Sequence, residues 1–255
     1  MAMENFILYI IVFLYGTILG SFLNVCIYRL PKKENIVTVG SHCMNCSHKL
    51  KWYDLFPLFS WIFLRGRCRY CKVPVSKQYP IIEFLNGVLY CLVFAVCGWN
   101  WDSVLWCLMI SALLVITLID YRTLQIPGQA DAFIAILGVV HLLLHLQQWL
   151  YYVIGFVATG AFLLLIAIVF KKVTGKSGLG YGDIELMACS GLCIGPVHSL
   201  LALIVASVLA SFVEGVRIIV TKKNDKFALG PYLAIGITVA LLFGDSVFRF
   251  YFRML

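Results

Sequence analysis

Two acids stand where an apolar chain has little reason to keep a charge. Asp120 ends an apolar run in LIDYRTLQIPG, and Asp183 opens another in GLGYGDIELM. A carboxylate bordering hydrocarbon is costly and points to function by default. Two carboxylates brought within a few ångströms cannot both carry charge, so they share a proton. The ionised member can take a proton from water as that water attacks a peptide carbonyl. The protonated member supports the developing oxyanion and the leaving group. That chemistry is aspartyl proteolysis without metal. Asp183 alone has a plainer reading: it follows glycines and precedes an apolar run, so it could cap a helix by accepting backbone N–H groups. Asp120 lacks that account, because the C-terminal end of a helix disfavours negative charge, although Arg122 is near enough in sequence to partner it. Gly180 and Gly182 flank the second acid and are expected to let the backbone approach a substrate strand and the acid swing into place.

A second constellation is built from sulfur. Four cysteines form Cys43-Met-Asn-Cys46 and Cys68-Arg-Tyr-Cys71, with twenty-one residues between the pairs. Each knuckle can aim two thiolates at one ion, and two such knuckles describe a tetrahedral zinc site. Four sulfurs leave no open position, so the Zn(2+) is structural. A small polar loop lacks a core of its own, so the metal would be its fold. The competing reading is a redox dithiol pair. His42 and His48 flank the first knuckle and read as solvated loop residues. The remaining six cysteines lie in apolar runs, where cysteine behaves as a small hydrophobe.

The elements that must position these groups follow from composition. The chain of 255 residues is 62% apolar and 13% charged, against about a quarter charged in a soluble domain. Apolar runs near the length of roughly 20 residues that crosses a bilayer recur throughout. The fold class is all-α: a polytopic helical membrane protein of about eight spans, at 5–28, 80–97, 101–118, 129–146, 149–170, 184–194, 198–220 and 231–250. The first run has no basic residue ahead of it and a basic stretch after it, as a retained span would. The expected layout is a first span over 1–28, a zinc loop over 29–79 and a transmembrane catalytic core over 80–255.

Ten of the twenty Lys and Arg fall in the 29–79 loop. Others, including Arg122, Lys171, Lys172, Lys176, Lys222, Lys223 and Lys226, fall in loops on the same side under that layout. Trp99, Trp101 and Trp149 sit in the tight loops opposite, as an interfacial aromatic belt would. The bias puts the N-terminus outside and the basic loops in the cytoplasm, with both aspartates at that face of the membrane. Only Arg249 and Arg253 run against it. The net charge of +8 is then a topology signal with some attraction to anionic lipid, and nucleic acid is not an expected partner.

The motifs taken in order resemble the bacterial prepilin peptidases, the type IV leader peptidases of the GxGD aspartyl class, over nearly the whole chain. GSFLNVCIYRLP (20–31) is similar to the family's opening signature. The twin cysteine pairs match its cytoplasmic loop, followed by PLFSWIFLRGRC (57–68) and SKQYPIIE (76–83). DYRTLQIP and GYGD carry the aspartates, and LGPYLAIG (229–236) resembles the final signature. The resemblance implies Asp120 and Asp183 as the catalytic pair, supported by Gly180 and Gly182. It implies cleavage of type IV prepilins or related pseudopilins after a short basic leader. It further implies N-methylation of the new terminus with S-adenosylmethionine, an activity associated with the cysteine loop, where Gly66 and Glu83 are candidates for that reaction or for leader recognition. Gly128 stands where the family usually has Asp or Asn, Glu185 where it commonly has lysine, and Ala228 where phenylalanine is frequent. The alternatives are another GxGD intramembrane protease, or a transporter or scaffold whose acids carry protons or cap helices.

Two further polar groups lie within spans. Glu214 and Arg217 are spaced for an i,i+3 ion pair. His141 and His145 are one turn apart and could ligate a metal. With no third ligand apparent, packing or interfacial hydrogen bonding is the preferred reading.

Overall fold

A computed structural model describes residues 2–36, 38–175, 178–222 and 227–254, with side chains described for 6–36, 38–175, 178–222 and 227–250. Lys176, Lys223 and Lys226, counted above among the basic loop residues, and the side chain of Arg253 lie outside the described residues. The helices are α1 (Ala2–Arg29), α2 (Phe59–Phe63), α3 (Gln78–Cys97), α4 (Trp101–Thr123), α5 (Gly128–Leu144), α6 (Trp149–Thr174), α7 (Tyr181–Thr221) and α8 (Gly230–Met254). Among the described residues there is no extended strand, and six helices are long and apolar enough to cross a membrane. The fold is all-α and polytopic.

All eight expected apolar runs are helical, but not as eight equal spans. The fourth, α5, has 17 residues and is shorter than the other apolar helices. The sixth and seventh are joined in α7, whose 41 residues are two helices meeting at a break. Gly195 there takes φ 75°, ψ 174°, outside the helical region. A Cβ on Gly195 would enter the Tyr151 ring. Pro196 then opens the second half, the position where a missing N–H costs least.

The chain forms two compact units, Met1–Trp99 and Asn100–Leu255. In the first, α1 lies against α3 with backbones nearly touching. A Cβ on Gly16 would stand 2.7 Å from Gly87 Cα, and one on Gly20 would stand 2.7 Å from Glu83 Cα. Asn86 Nδ2 donates to Gly16 O at 2.7 Å across the same contact. Small residues and an interhelical amide bond are how helices associate where lipid removes the hydrophobic driving force. In the second unit, α4, α5, α7 and α8 enclose a core of Met109, Leu113, Ile116, Ile134, Leu186, Met187 and Ile237. Gly155 and Gly191 bring α6 and α7 together, and Gly236 meets Ala202 and Ala206 between α8 and α7. This glycine-stitched packing fixes the helix ends that carry the acids.

Candidate active site

Asp120 lies in the last turn of α4 and is 5% exposed. The helix stops just beyond it: Leu124 takes φ 54° and donates its N–H to Asp120 O at 2.8 Å. Its own helix therefore presents carbonyls, the wrong end for a carboxylate. The partner comes from elsewhere. Gly230 N–H donates to Asp120 Oδ2 at 2.8 Å, and Gly230 is the first residue of α8, where backbone donors lack intrahelical acceptors. Arg122, the expected partner, is exposed on the same turn. Position 230 must be glycine for this contact, since a Cβ there would lie 2.7 Å from Asp120 Oδ2.

Asp183 is the third residue of α7, and Gly180 is the N-cap. The structure therefore moves Asp183 from the N-cap into the helix, and its carboxylate reaches back to the Gly180 backbone, the acidic half of a capping box. The two glycines are both closely packed. Gly180 has an ordinary φ of −74°, but a Cβ on it would stand 2.8 Å from Asp183 Oδ2. A Cβ on Gly182 would stand 2.9 Å from Ile126 Cβ. Both glycines close the site on itself.

The two acids line one cavity of about 290 Å³, walled by Leu124, Gln125 and Ile126 from the α4–α5 connection and by Gly180, Tyr181 and Gly182 from the start of α7. That volume is at the small end for a ligand pocket. Two carboxylates, each held by a backbone N–H and facing a common space, are equipped for paired acid–base chemistry.

In the first unit the four cysteines converge. Their sulfurs lie within 4.8 Å of one another, with Cys43 Sγ 3.8 Å from Cys71 Sγ. Tetrahedral zinc with Zn–S near 2.3 Å places sulfurs roughly 3.8 Å apart, so the donor set fits the ion. The knuckles are copies of each other. Cys43 N–H donates to His48 O and Cys68 N–H to Val73 O, while Ser47 and Lys72 return N–H bonds to Cys43 O and Cys68 O. Ser47 and Lys72 both take positive φ, 55° and 59°, at the same place in each turn. The backbone N–H of Cys46 pulls the Cys43 thiol down to about 6. Burial and the neighbouring Cys43 and Cys71 sulfurs outweigh the His48 N–H and push Cys46 up to about 11. A bare cluster cannot carry four thiolates, and a divalent cation relieves that repulsion. His42 and His48 are exposed, His48 against the Tyr70 ring at 3.6 Å.

Comparison with known families decides the lineage. Residues 14–97 match the bacterial peptidase A24 N-terminal domain, and residues 107–214 match the type IV leader peptidase family. The chain belongs to the type IV leader peptidase family. It is similar to the prepilin leader peptidase/N-methyltransferase of Aeromonas hydrophila, at 32% identity over 94% of this chain and 92% of that one. A protein of the same name from Neisseria gonorrhoeae is 32% identical over 92% and 90% of the two chains, and one from Pectobacterium carotovorum 35% over 87% and 88%. No solved structure matches the chain.

Within this leader peptidase, Gly66 and Glu83 are both engaged by the loop's own backbone. Gly66 has φ 66°, and a Cβ on it would press 2.8 Å against the Trp61 ring. Its N–H donates to Trp61 O, and its carbonyl accepts from Val75 N–H. Glu83, 6% exposed, accepts the Leu58 N–H at 2.8 Å. Leu58 takes φ 60°, ψ −55°, and Phe59 N–H bonds back to Pro57 O, a γ-turn of the strained, positive-φ kind. Burial would raise the Asp54 carboxyl, but Arg69, the Lys51 N–H and the Tyr70 hydroxyl outweigh it and hold Asp54 below the usual carboxylate range. The ion pair to Arg69, at 2.6 Å, ties the second knuckle down.

Elsewhere Glu214 and Arg217 do pair, at 2.7 Å, joined by a Tyr232 hydroxyl donating to Glu214 at 2.8 Å. One acid escaped sequence reasoning. Asp131, in the first turn of α5, is 3% exposed, both its oxygens lack hydrogen-bond partners, and it lies within electrostatic range of Asp183 and Glu185. Its only signal was a charge inside an apolar run.

Proposed function

We propose that this protein is a membrane-embedded aspartyl endopeptidase that removes the leader of type IV prepilins or pseudopilins, with Asp120 and Asp183 as the catalytic pair. The observation that carries the proposal is the pair of carboxylates lining one cavity, each held by a backbone N–H from a helix N-terminus. One carboxylate takes a proton from water and the other gives one to the departing amine, as paired acids do. The Gly230 N–H fixes Asp120 from one side, leaving its second oxygen for the water. The basic loops face the cytoplasm in this reading, so cleavage occurs at the cytoplasmic end of the substrate's apolar helix.

The 29–79 loop is a zinc-held module, with Cys43, Cys46, Cys68 and Cys71 as ligands and 80–255 carrying the catalytic spans. The relatives' shared name supports a second activity, S-adenosylmethionine-dependent methylation of the new N-terminus. Gly66 and Glu83 would serve it by shaping the loop, since Trp61 and Leu58 already occupy them. The presence of that loop disfavours a general GxGD intramembrane protease, which has no need of one.

The test is co-expression of the full chain with a prepilin, read by gel mobility and intact mass. Unaltered protein yields the shortened pilin. Asp120→Asn and Asp183→Asn each reduce processing at least ~10³-fold, at the strong end for one acid–base group. Persistence of processing in both variants would falsify the assignment. An added methyl mass on the product decides the second activity.

A further inference from the structure

The outer ends of α4 and α5 hold a cluster that the peptidase chemistry does not use. His141 and His145, one turn apart on α5, both turn Nε2 toward the carboxylate of Asp102 in the first turn of α4. His145 Nε2 lies 3.0 Å from Asp102 Oδ1 and 3.1 Å from Oδ2. His141 Nε2 lies 3.7 Å from Asp102 Oδ1, beyond hydrogen-bond reach. One ligand atom from each residue lies within 4.8 Å of the other two. His141 is 3% exposed and its Nδ1 is buried without a hydrogen-bond partner.

We infer that Asp102, His141 and His145 form a second metal site, for a first-row divalent cation of which zinc is the best fit. The donor set is two imidazoles and one carboxylate, borderline ligands of the kind zinc takes, with three protein ligands and one open position. Bonds of about 2.0–2.1 Å in tetrahedral geometry set neighbouring donors roughly 3.3 Å apart, between the 3.0 and 3.7 Å seen here. An ion in the gap would take one bond from each Nε2 and draw Asp102 from its bond to His145. Trp106 and Tyr152 pack against His141 with ring centroids 4.9 and 4.7 Å from its own.

The site is remote from the aspartates. Asp102 and Asp120 are eighteen residues apart on one helix, about 27 Å at 1.5 Å per residue. Its role is therefore a clamp between the start of α4 and the end of α5, with a coordination position open to a ligand arriving from that face. The inference rests on this geometry and not on the proposed peptidase activity.

Cobalt is the probe. Full-length protein in detergent is stripped with chelator, refilled with Co²⁺ and desalted, then assayed for metal content and absorption. The expected result is two cobalts per chain, one with the near-ultraviolet thiolate bands of the cysteine site and one without. His141→Ala and Asp102→Asn each lose one cobalt and keep the thiolate bands, with an unchanged far-ultraviolet helical signal as the check on folding of the second unit. Should either variant lose helical signal, His145→Gln, changed at the half-exposed ligand, is read in its place and is expected to weaken the second site at least ~10-fold. One thiolate-free cobalt alone upholds this site and counts against the cysteine site. A single cobalt bearing thiolate bands, or a second cobalt indifferent to all three variants, overturns the inference.

Discussion

The cysteine loop and the aspartate cavity are held together by opposite means. The loop assembles from residues close in sequence: two knuckles, each closed within six residues, and an ion that four sulfurs are spaced to hold. The aspartate cavity is assembled across the chain, with Gly230 reaching Asp120 over 110 positions. Among its walls, glycine matters more than any bulky side chain. In the proposed reading metal supplies the loop's cohesion, whereas close helix packing supplies the cavity's. A perturbation of one should leave the other standing.

The largest effect that separates them is metal loss. Cys43→Ser with Cys68→Ser is expected to abolish zinc binding and open the 29–79 loop to limited proteolysis, because structural zinc contributes about 10 kcal/mol or more to such folds. Protection of the second unit's helices from the same protease should be unchanged, and coupled loss of both would break the contrast. Gly230→Ala acts on the other side. It forces Asp120 from its N–H, and displacement of a catalytic group by about 1 Å can lower the rate ~100-fold, measurable as prepilin processing with zinc content intact.

A smaller effect is expected at Glu83. Glu83→Gln weakens the bond that holds the strained turn at Leu58, which removes about 1–3 kcal/mol of support from that corner of the loop. Faster proteolysis near residues 55–60, with zinc retained, is the readout. The smallest change should be a gain. Asp131→Asn replaces a buried carboxylate without partners by a neutral isostere, stabilising the protein by ~1 kcal/mol, or roughly 2–4 °C in Tm. A lower Tm would mean that Asp131 has a partner in the functional state.

Much of both regions was legible in the sequence, for a physical reason. Cysteines that could share an ion must sit in tight turns, so their spacing survives as a local pattern, and the four-sulfur cluster was readable from two pairs alone. Acids at the ends of apolar runs stand out because hydrocarbon permits so few. What escaped depends on contacts between helices. Nothing near Asp120 announces that Gly230 will partner it, and Arg122 looked the better candidate only by proximity along the chain. The cap falls at Gly180 and not at Asp183, because helix starts are visible to within a residue or two and no better. The histidines on α5 lacked a third ligand until folding brought Asp102 to them. The break in α7 was foreseeable at Gly195–Pro196, where the two expected spans meet.

The hydrogen bond from Gly230 to Asp120 has a temporal meaning as well. Synthesis completes α4 and the start of α7 well before residue 230 emerges, so a nascent chain already holds both acids. It does not yet hold the donor that anchors the first of them. Insertion of the last helix is what finishes the site, and a chain stalled before it keeps both carboxylates in the membrane with Asp120 lacking its Gly230 anchor.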